Sequence, residues 1–96
     1  MAAYVIFDVE IWDLAAYQSF MEAVKPAIEE AGGRYLVRGG QHKVMEGNWT
    51  PSRLVLLEFP SMEQAEGFYH SAAYQGCKAI RDACSKGHVV VVEGIG

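Results

Sequence analysis

The sequence predicts an α+β domain whose elements follow the order β-α-β-β-α-β. Three observations predict it. A period-two alternation of apolar and polar residues opens the chain, an apolar stripe of helical spacing follows, and a hairpin, a second helical region and a valine-rich strand complete the series. This is the ferredoxin-like split βαβ pattern with a four-stranded antiparallel sheet. Ninety-six residues form a single domain over 1–96.

The first strand and the first helix show the clearest periodicity. The strand places Val5, Phe7, Val9 and Ile11 on one face, and Tyr4, Ile6, Asp8 and Glu10 on the other. Asp13 is a candidate N-cap, Pro26 predicts a kink, and Gly32-Gly33 predicts a helix end with a left-handed residue. The apolar stripe of the helix consists of Leu14, Tyr17, Met21, Val24 and Ile28.

The middle of the chain predicts a long hairpin. The second strand begins at Arg34–Arg38, meets Gly39-Gly40, where we expect a bulge or a close backbone approach, and continues through His42–Met45. Glu46–Trp49 is the predicted turn, and Arg53–Phe59 is the third strand.

The last third of the chain predicts helices and a final strand. Ser61 and Gln64 have the spacing of a capping box, and a further helix is expected from about Tyr74 to Cys84, with Cys77, Ile80 and Cys84 inward. Ser85–Gly87 is predicted as a turn. His88–Glu93 is the last strand, and its Val89–Val92 run is typical of a strand covered on both sides.

The composition narrows the classes of partner. The net charge of −4 and the pI near 5.2, without a basic stripe, argue against nucleic acid and against an anionic membrane surface. No apolar run approaches the ~20 residues that cross a bilayer. Cys77 and Cys84 would lie about 10.5 Å apart on one helix, too far for a disulfide. We therefore predict a cytoplasmic protein.

The predicted sheet has one face that the chain itself does not cover. The helices occupy the other face, while Tyr4, Ile6, Leu54 and Leu56 are left on this one. Hydrophobic residues make up 51% of the chain, more than one small core requires. A second copy is the simplest cover, so we predict a homodimer.

Several motifs agree in order and spacing with a known family. They are Tyr4–Ile6, Gly33–Gly40 (GRYLVRGG), Glu46–Trp49, Arg53–Val55, Glu58–Ser61 and Tyr69–Tyr74. Together they resemble the family named domain of unknown function 1330 over nearly the whole chain. The resemblance implies a dimeric α/β-barrel made of two ferredoxin-like protomers, and it implies no activity.

The predicted hairpin carries the groups best able to grip a small polar molecule. Arg38 and Arg53 would clamp a carboxylate or phosphate, because guanidinium offers forked donors. The alternative is that they pair with Asp8, Glu46 or Glu58. The predicted ligand-binding residues are Asp8, Arg38, His42, Trp49, Arg53 and Glu58.

The other members of this set have two interpretations each. A carboxylate at Asp8 or Glu58 is either a general base or one half of an ion pair, and pairing of Glu58 with Arg38 is favoured. Trp49 either stacks on a ligand or pins the hairpin against a helix or a partner. His42 is either an acid–base group or only hydrogen-bonded. The histidine and cysteine spacings predict no metal and no cofactor.

Three functions remain open at this point. The first is a homodimer that binds a small anionic or aromatic molecule near the hairpin. The second, by fold analogy alone, is a cofactor-independent monooxygenase or isomerase of the dimeric α/β-barrel superfamily. The third is an interaction module without a ligand, whose interior would be filled by side chains.

Overall fold

The computed structural model describes residues 1–95 and has the predicted ferredoxin-like fold. The sheet order is β2-β3-β1-β4, and every neighbouring pair is antiparallel. The chain runs through β1 (Ala3–Ile11), α1 (Leu14–Glu30), β2 (Arg34–Arg38), β3 (Leu54–Phe59), α2 (Met62–His70), α3 (Ala72–Cys84) and β4 (Ser85–Glu93).

The core lies between the sheet and the helices, which all pack on one face. The molecule is only 17 Å across in its thinnest direction, as expected for two layers. The strands contribute Val5, Phe7, Val9, Val55, Leu57 and Phe59 to this core, and the helices contribute Tyr17, Phe20, Val24, Ile28, Phe68 and Tyr74.

The opposite side of the sheet, which we call the open face, is not covered by the chain. Its apolar residues include Val90 and Val92, which are 57% and 45% exposed. Within this chain only Val89 and Val91 pack against the core, so the predicted cover on the other side of Val89–Val92 would have to come from a second copy. The open face is formed by Tyr4, Ile6, Leu54, Leu56, Val90 and Val92.

Helix α1 begins and ends as the sequence predicts. The Asp13 carboxylate accepts a hydrogen bond from Ala16 N at 3.1 Å, and the helix continues through Pro26 to Glu30. Gly32 has a φ of +84°, and the following Gly33 N donates to Ile28 O at 2.9 Å. One member of the predicted stripe, Leu14, is the first residue of the helix and is 60% exposed.

The segment 39–53 between β2 and β3 differs most from the prediction. His42–Met45 is not a strand, and the chain from 39 to 50 is exposed. Gly39, with a φ of +72°, donates its N–H to Leu54 O at 2.8 Å and then turns the chain away from β3. The bulge lies between Tyr35 and Val37 instead of at the glycine pair.

Two boundaries between elements, α2 to α3 and α3 to β4, also differ from the prediction. The Ser71 hydroxyl donates to Phe68 O at 2.7 Å and accepts from Tyr74 N at 3.1 Å. It therefore ends α2 and caps α3, which begins at Ala72 instead of Tyr74. Ser85–Gly87 is not a turn but the start of β4, because Ser85 is extended and Gly87 is already paired with Val9.

Two glycine substitutions should have opposite effects on stability. A Cβ at Gly33 would lie 2.5–3.0 Å from three atoms of the buried Phe59 ring, so Gly33→Ala should lower the free energy of unfolding by about 1–3 kcal/mol. Gly76, inside α3, has open space around it, and Gly76→Ala should raise that free energy by about 0.5–1 kcal/mol. Urea unfolding measures both, and equal effects would contradict the packing described at Gly33.

Candidate functional site

A cleft between α1 and the β2–β3 half of the sheet contains two arginines in apolar surroundings. We call it the α1 cleft. Its enclosed part has a volume of about 20 Å³, room for about one water molecule. It is lined by Phe7, Tyr17, Phe20, Met21, Val24, Ile28, Tyr35, Arg38, Arg53, Val55 and Leu57.

The backbone around Arg53 directs its side chain into the cleft. Val9 N donates to Arg53 O at 3.0 Å, which extends the β1–β3 pairing by one residue. Gly39 passes so close that a Cβ there would overlap the Arg53 guanidinium. The predicted close backbone approach at the glycine pair is therefore confirmed at Gly39.

The Arg53 guanidinium contacts no carboxylate within residues 1–95, and its neighbours are Met21 and Tyr17. Its Nη2 donates to the Met21 sulfur at 3.4 Å, and its Cζ lies 5.7 Å from the centre of the Tyr17 ring. Its Nε is buried without a hydrogen-bond partner. A thioether is a poor acceptor, so the charge of Arg53 is poorly compensated where it lies.

Arg38 lies at the mouth of the same cleft, with its Cζ 4.9 Å from the centre of the Tyr35 ring. Within residues 1–95, neither Arg38 nor Arg53 forms an ion pair with a carboxylate. The predicted pairing of Glu58 with Arg38 is wrong, since Glu58 accepts from Arg34 Nε at 2.7 Å.

The bulge in β2 explains why Glu58 pairs with Arg34 and not with Arg38. Arg34 lies opposite Glu58 on the uncovered side of the sheet. In a regular strand Arg38, four residues on, would share that side. The extra residue between Tyr35 and Val37 reverses the alternation, and Arg38 lies opposite Val55 on the helix side.

Two phenols share the cleft with the arginines. Burial raises the pKa of Tyr17, against the opposing effect of the nearby Arg53 charge. Burial likewise raises the pKa of Tyr35, opposed by Arg38. Both hydroxyls therefore stay protonated at neutral pH and can donate hydrogen bonds to a bound oxygen.

The remaining predicted site residues lie away from the cleft. Asp8 is on the uncovered side of the sheet, where its carboxylate accepts from Trp49 Nε1 at 2.8 Å and from Ser52 N at 3.0 Å. His42 Nε2 lies 2.9 Å from Pro51 O within the 39–53 segment. The structure thus brings Arg38 and Arg53 together, and Asp8 and Trp49 together, on opposite sides of the sheet.

Sequence reasoning missed Arg81, which is 3% exposed. Of the predicted inward residues of α3, Cys77 and Cys84 are buried, but Ile80 is 37% exposed and Arg81 faces the core in its place. A signal was available, because Tyr74, Cys77, Arg81 and Cys84 follow one another at spacings of three, four and three on one helical stripe.

Within the described residues, no three His, Cys, Asp or Glu side chains are grouped so that they could hold a metal ion. Cys77 and Cys84 are buried free thiols on α3. No helix among residues 1–95 is long and apolar enough to span a membrane.

A family model named domain of unknown function (DUF1330) matches residues 2–95. The chain belongs to this family. No curated protein matches the sequence.

Solved structures with a similar fold are distant from this chain in sequence. A protein of unknown function from Rhodopseudomonas palustris is 14% identical, with a TM-score of 0.79 over 99% of this chain and 83% of that one. A dimeric ferredoxin-like protein of unknown function from Jannaschia sp. CCS1 is 17% identical, with a TM-score of 0.68 over 98% and 100%. The cofactor-independent oxygenase SnoaB from Streptomyces nogalater is 9% identical, with a TM-score of 0.61 over 99% and 93%. These similarities support the fold.

Tyr74 should make the protein sensitive to alkali. Burial raises the pKa of its phenol to about 12. In the unfolded chain a tyrosine titrates near pH 10, so between about pH 10 and 12 only the folded state keeps this proton. The contribution of Tyr74 is therefore present below pH 10 and lost as the pH rises towards 12.

Urea unfolding from pH 9 to 12 tests this expectation. In Tyr74→Phe, the decline in the free energy of unfolding across that interval should be smaller by on the order of 2 kcal/mol. Burial raises the pKa values of Tyr17 and Tyr35 as well, but both residues are retained in the variant, so their effect is the same in the two proteins. Identical pH profiles for the two proteins would contradict the assignment to Tyr74.

Proposed function

We propose that this protein is a cytoplasmic homodimer that binds a small anion with an aromatic or apolar body in the α1 cleft. One observation carries the proposal: Arg53 presents a partly buried guanidinium, without a carboxylate partner among residues 1–95, in a cleft whose walls are otherwise mainly apolar. The buried free thiols of Cys77 and Cys84 suit a reducing compartment, which supports the cytoplasmic location.

The chemistry of the cleft favours a carboxylate or similar oxyanion. A partly buried cation is costly unless an anion compensates it. A carboxylate would take the place of the Met21 sulfur as acceptor from Arg53, and Arg38 at the mouth could supply a second fork of donors. The apolar body would lie against Phe20, Val24 and the other hydrophobic walls.

The small enclosed volume means that binding requires movement. About 20 Å³ is far below the volume of an aromatic acid, so Met21 and Arg53 must rotate aside. Segment 39–53, which ends at Arg53, is exposed for most of its length and can make room at moderate cost. The ligand should therefore stabilise this segment when it binds.

The affinity for an aromatic acid should depend on Arg53. We expect 3-phenylpropionate to raise the Tm of the wild type, and Arg53→Met to raise its Kd by about 10- to 100-fold, since a charge-assisted hydrogen bond is lost. The neutral amide of the same acid should bind more weakly, with a Kd that Arg53→Met leaves unchanged.

A matched control is Arg34→Met, which removes an arginine that is paired with Glu58 outside the cleft. It should leave the Kd of the acid unchanged. If no aromatic acid stabilises the wild type, the ligand proposal fails and the interaction module without ligand becomes the better explanation.

The homodimer part of the proposal rests on the open face. Six apolar residues lie there together, and Trp49 extends the patch at one end, where it borders Ile6 and Val90. Apolar patches of this kind mark interfaces. The ferredoxin-like relative from Jannaschia sp. CCS1 is described as dimeric, which supports a second copy as the cover.

Leu56→Glu should convert the dimer into a monomer. It places a charge in the middle of the open face, opposite Ile6 of β1, and burial of an unpaired carboxylate is unfavourable. The control is Leu14→Glu, an exposed leucine at the start of α1. Light scattering after size exclusion should give a monomer for the first variant only, and a folded dimer in both would refute this interface.

An oxygenase is the second candidate function, because the fold is shared with a cofactor-independent oxygenase and the cleft holds two phenols beside two arginines. The substrate would be a quinol or phenol that itself supplies the electrons for O₂. Oxygen uptake with such compounds, lost in Tyr17→Phe and Arg53→Met, would support it. Absence of uptake with a compound shown to bind would leave binding as the function.

A further inference from the structure

Four buried polar atoms lack hydrogen-bond partners in the described chain, and all belong to side chains next to Phe7 or Tyr17. They are Arg53 Nε, the Tyr74 hydroxyl, and Nε and Nη1 of Arg81. Arg53 lies against Tyr17, while Arg81 and Tyr74 lie against Phe7. Phe7 and Tyr17 both line the α1 cleft, so Arg53 lies in the cleft while Arg81 and Tyr74 contact it through Phe7.

Arg81 is the most unusual of these groups. Its Cζ lies 5.7 Å from the centre of the Phe7 ring, and its nearest carboxylate oxygen is Asp82 Oδ1, at 3.6 Å from Nη2. Asp82 is half exposed and is held by Lys78 Nζ at 2.6 Å, so it compensates the buried charge weakly. A guanidinium in this position destabilises the fold unless something else is bound to it.

Tyr74 supplies a second donor beside Arg81. Its side chain is fully buried, and its ring lies 6.4 Å from that of Phe7, centre to centre. Burial raises the pKa of the phenol to about 12, and the neighbouring Arg81 charge opposes that shift. The hydroxyl is therefore neutral and able to donate, yet within residues 1–95 it has no acceptor.

The Phe7 ring connects these donors to the cleft. Phe7 lines the cleft and also contacts Arg81 and Tyr74. A rotation of this ring would bring the cleft closer to Arg81 and Tyr74. A ligand held by its anionic group at Arg53 would then have its far end directed towards Arg81 and Tyr74.

We propose that Arg81 and Tyr74 form an inner subsite for a second oxygen of the ligand, so that the ligand is an aromatic acid with a hydrogen-bond acceptor at its far end. This inference rests on the proposed function, since it extends the site of Arg53. A phenol, keto or carboxylate oxygen has the required chemistry, because each accepts from a guanidinium and from a phenol.

The test compares the Kd of 3-phenylpropionate with those of its 4-hydroxy and 4-carboxy derivatives by calorimetry. For the wild type we expect at least one derivative to bind about 10- to 100-fold more tightly than the parent acid. Arg81→Met should remove this preference without changing the Kd of the parent. Arg53→Met should weaken all three acids.

The Arg81→Met variant also distinguishes a role of Arg81 in binding from a role in stability. Because an apolar side chain replaces a weakly compensated buried charge, Arg81→Met should keep or raise the Tm. A fall of more than about 5 °C, near 1 kcal/mol for a chain of this size, would assign Arg81 to stability and overturn the inference. Tyr74→Phe, which removes one oxygen atom, should lose part of the preference and provides a milder second variant.

The remaining outcomes distinguish the two proposals. If the parent acid binds through Arg53 but neither derivative is preferred, or if Arg81→Met retains the preference, the inner subsite is refuted and the α1 cleft stands. If none of the three acids binds to the wild type, the proposed function fails, and the inference fails with it. The identity of the preferred derivative distinguishes a hydroxyl from a carboxylate at the far end.

Discussion

The two-residue alternation of β1 is the constraint on which the rest of the structure depends. This strand lies in the middle of the sheet, between β3 and β4. Its Val5, Phe7 and Val9 are buried beneath the helices, while Ile6 and Asp8 face the other way. A one-residue shift would exchange these two sets, expose the core and bury a carboxylate under the helices. The same strand therefore defines both the core and the uncovered side of the sheet.

The two faces of β1 would serve different functions, one in ligand binding and the other in assembly. Phe7 lines the α1 cleft and also contacts the buried pair of Arg81 and Tyr74. Asp8, the next residue, holds Trp49 and Ser52 on the opposite side, beside the open face. Assembly and ligand binding would thus be placed on opposite sides of one strand, a few ångströms apart. Ser52 and Arg53, which are adjacent in the chain, connect the two regions covalently.

The uncompensated charge of the interior is the strongest sign of a function. Arg53 and Arg81 are the two arginines with unpartnered buried nitrogens within residues 1–95, and both lie against aromatic rings of the core. Stacking on an aromatic ring stabilises a guanidinium, although less than an ion pair in a buried site does. Arginines that stack on aromatic rings but lack acceptors are well suited to a ligand that supplies those acceptors. For this reason we place the ligand site on the helix side of the sheet.

The sequence by itself determined the element order, the faces of β1, the caps at Asp13 and Ser61, and the uncovered apolar side of the sheet, because these follow from local periodicity and from hydrogen bonds over a few residues. It also singled out Arg38 and Arg53. Only the tertiary structure decided where they lie: the bulge between Tyr35 and Val37 moved Arg38 away from Glu58, and Asp8 held Trp49 on the other side. Arg81 differs, because its helical stripe with Tyr74, Cys77 and Cys84 was readable in the sequence, and the structure shows that this stripe faces the core. A bulge and a long irregular loop are fixed by contacts between residues distant in sequence, which single-chain periodicity does not contain.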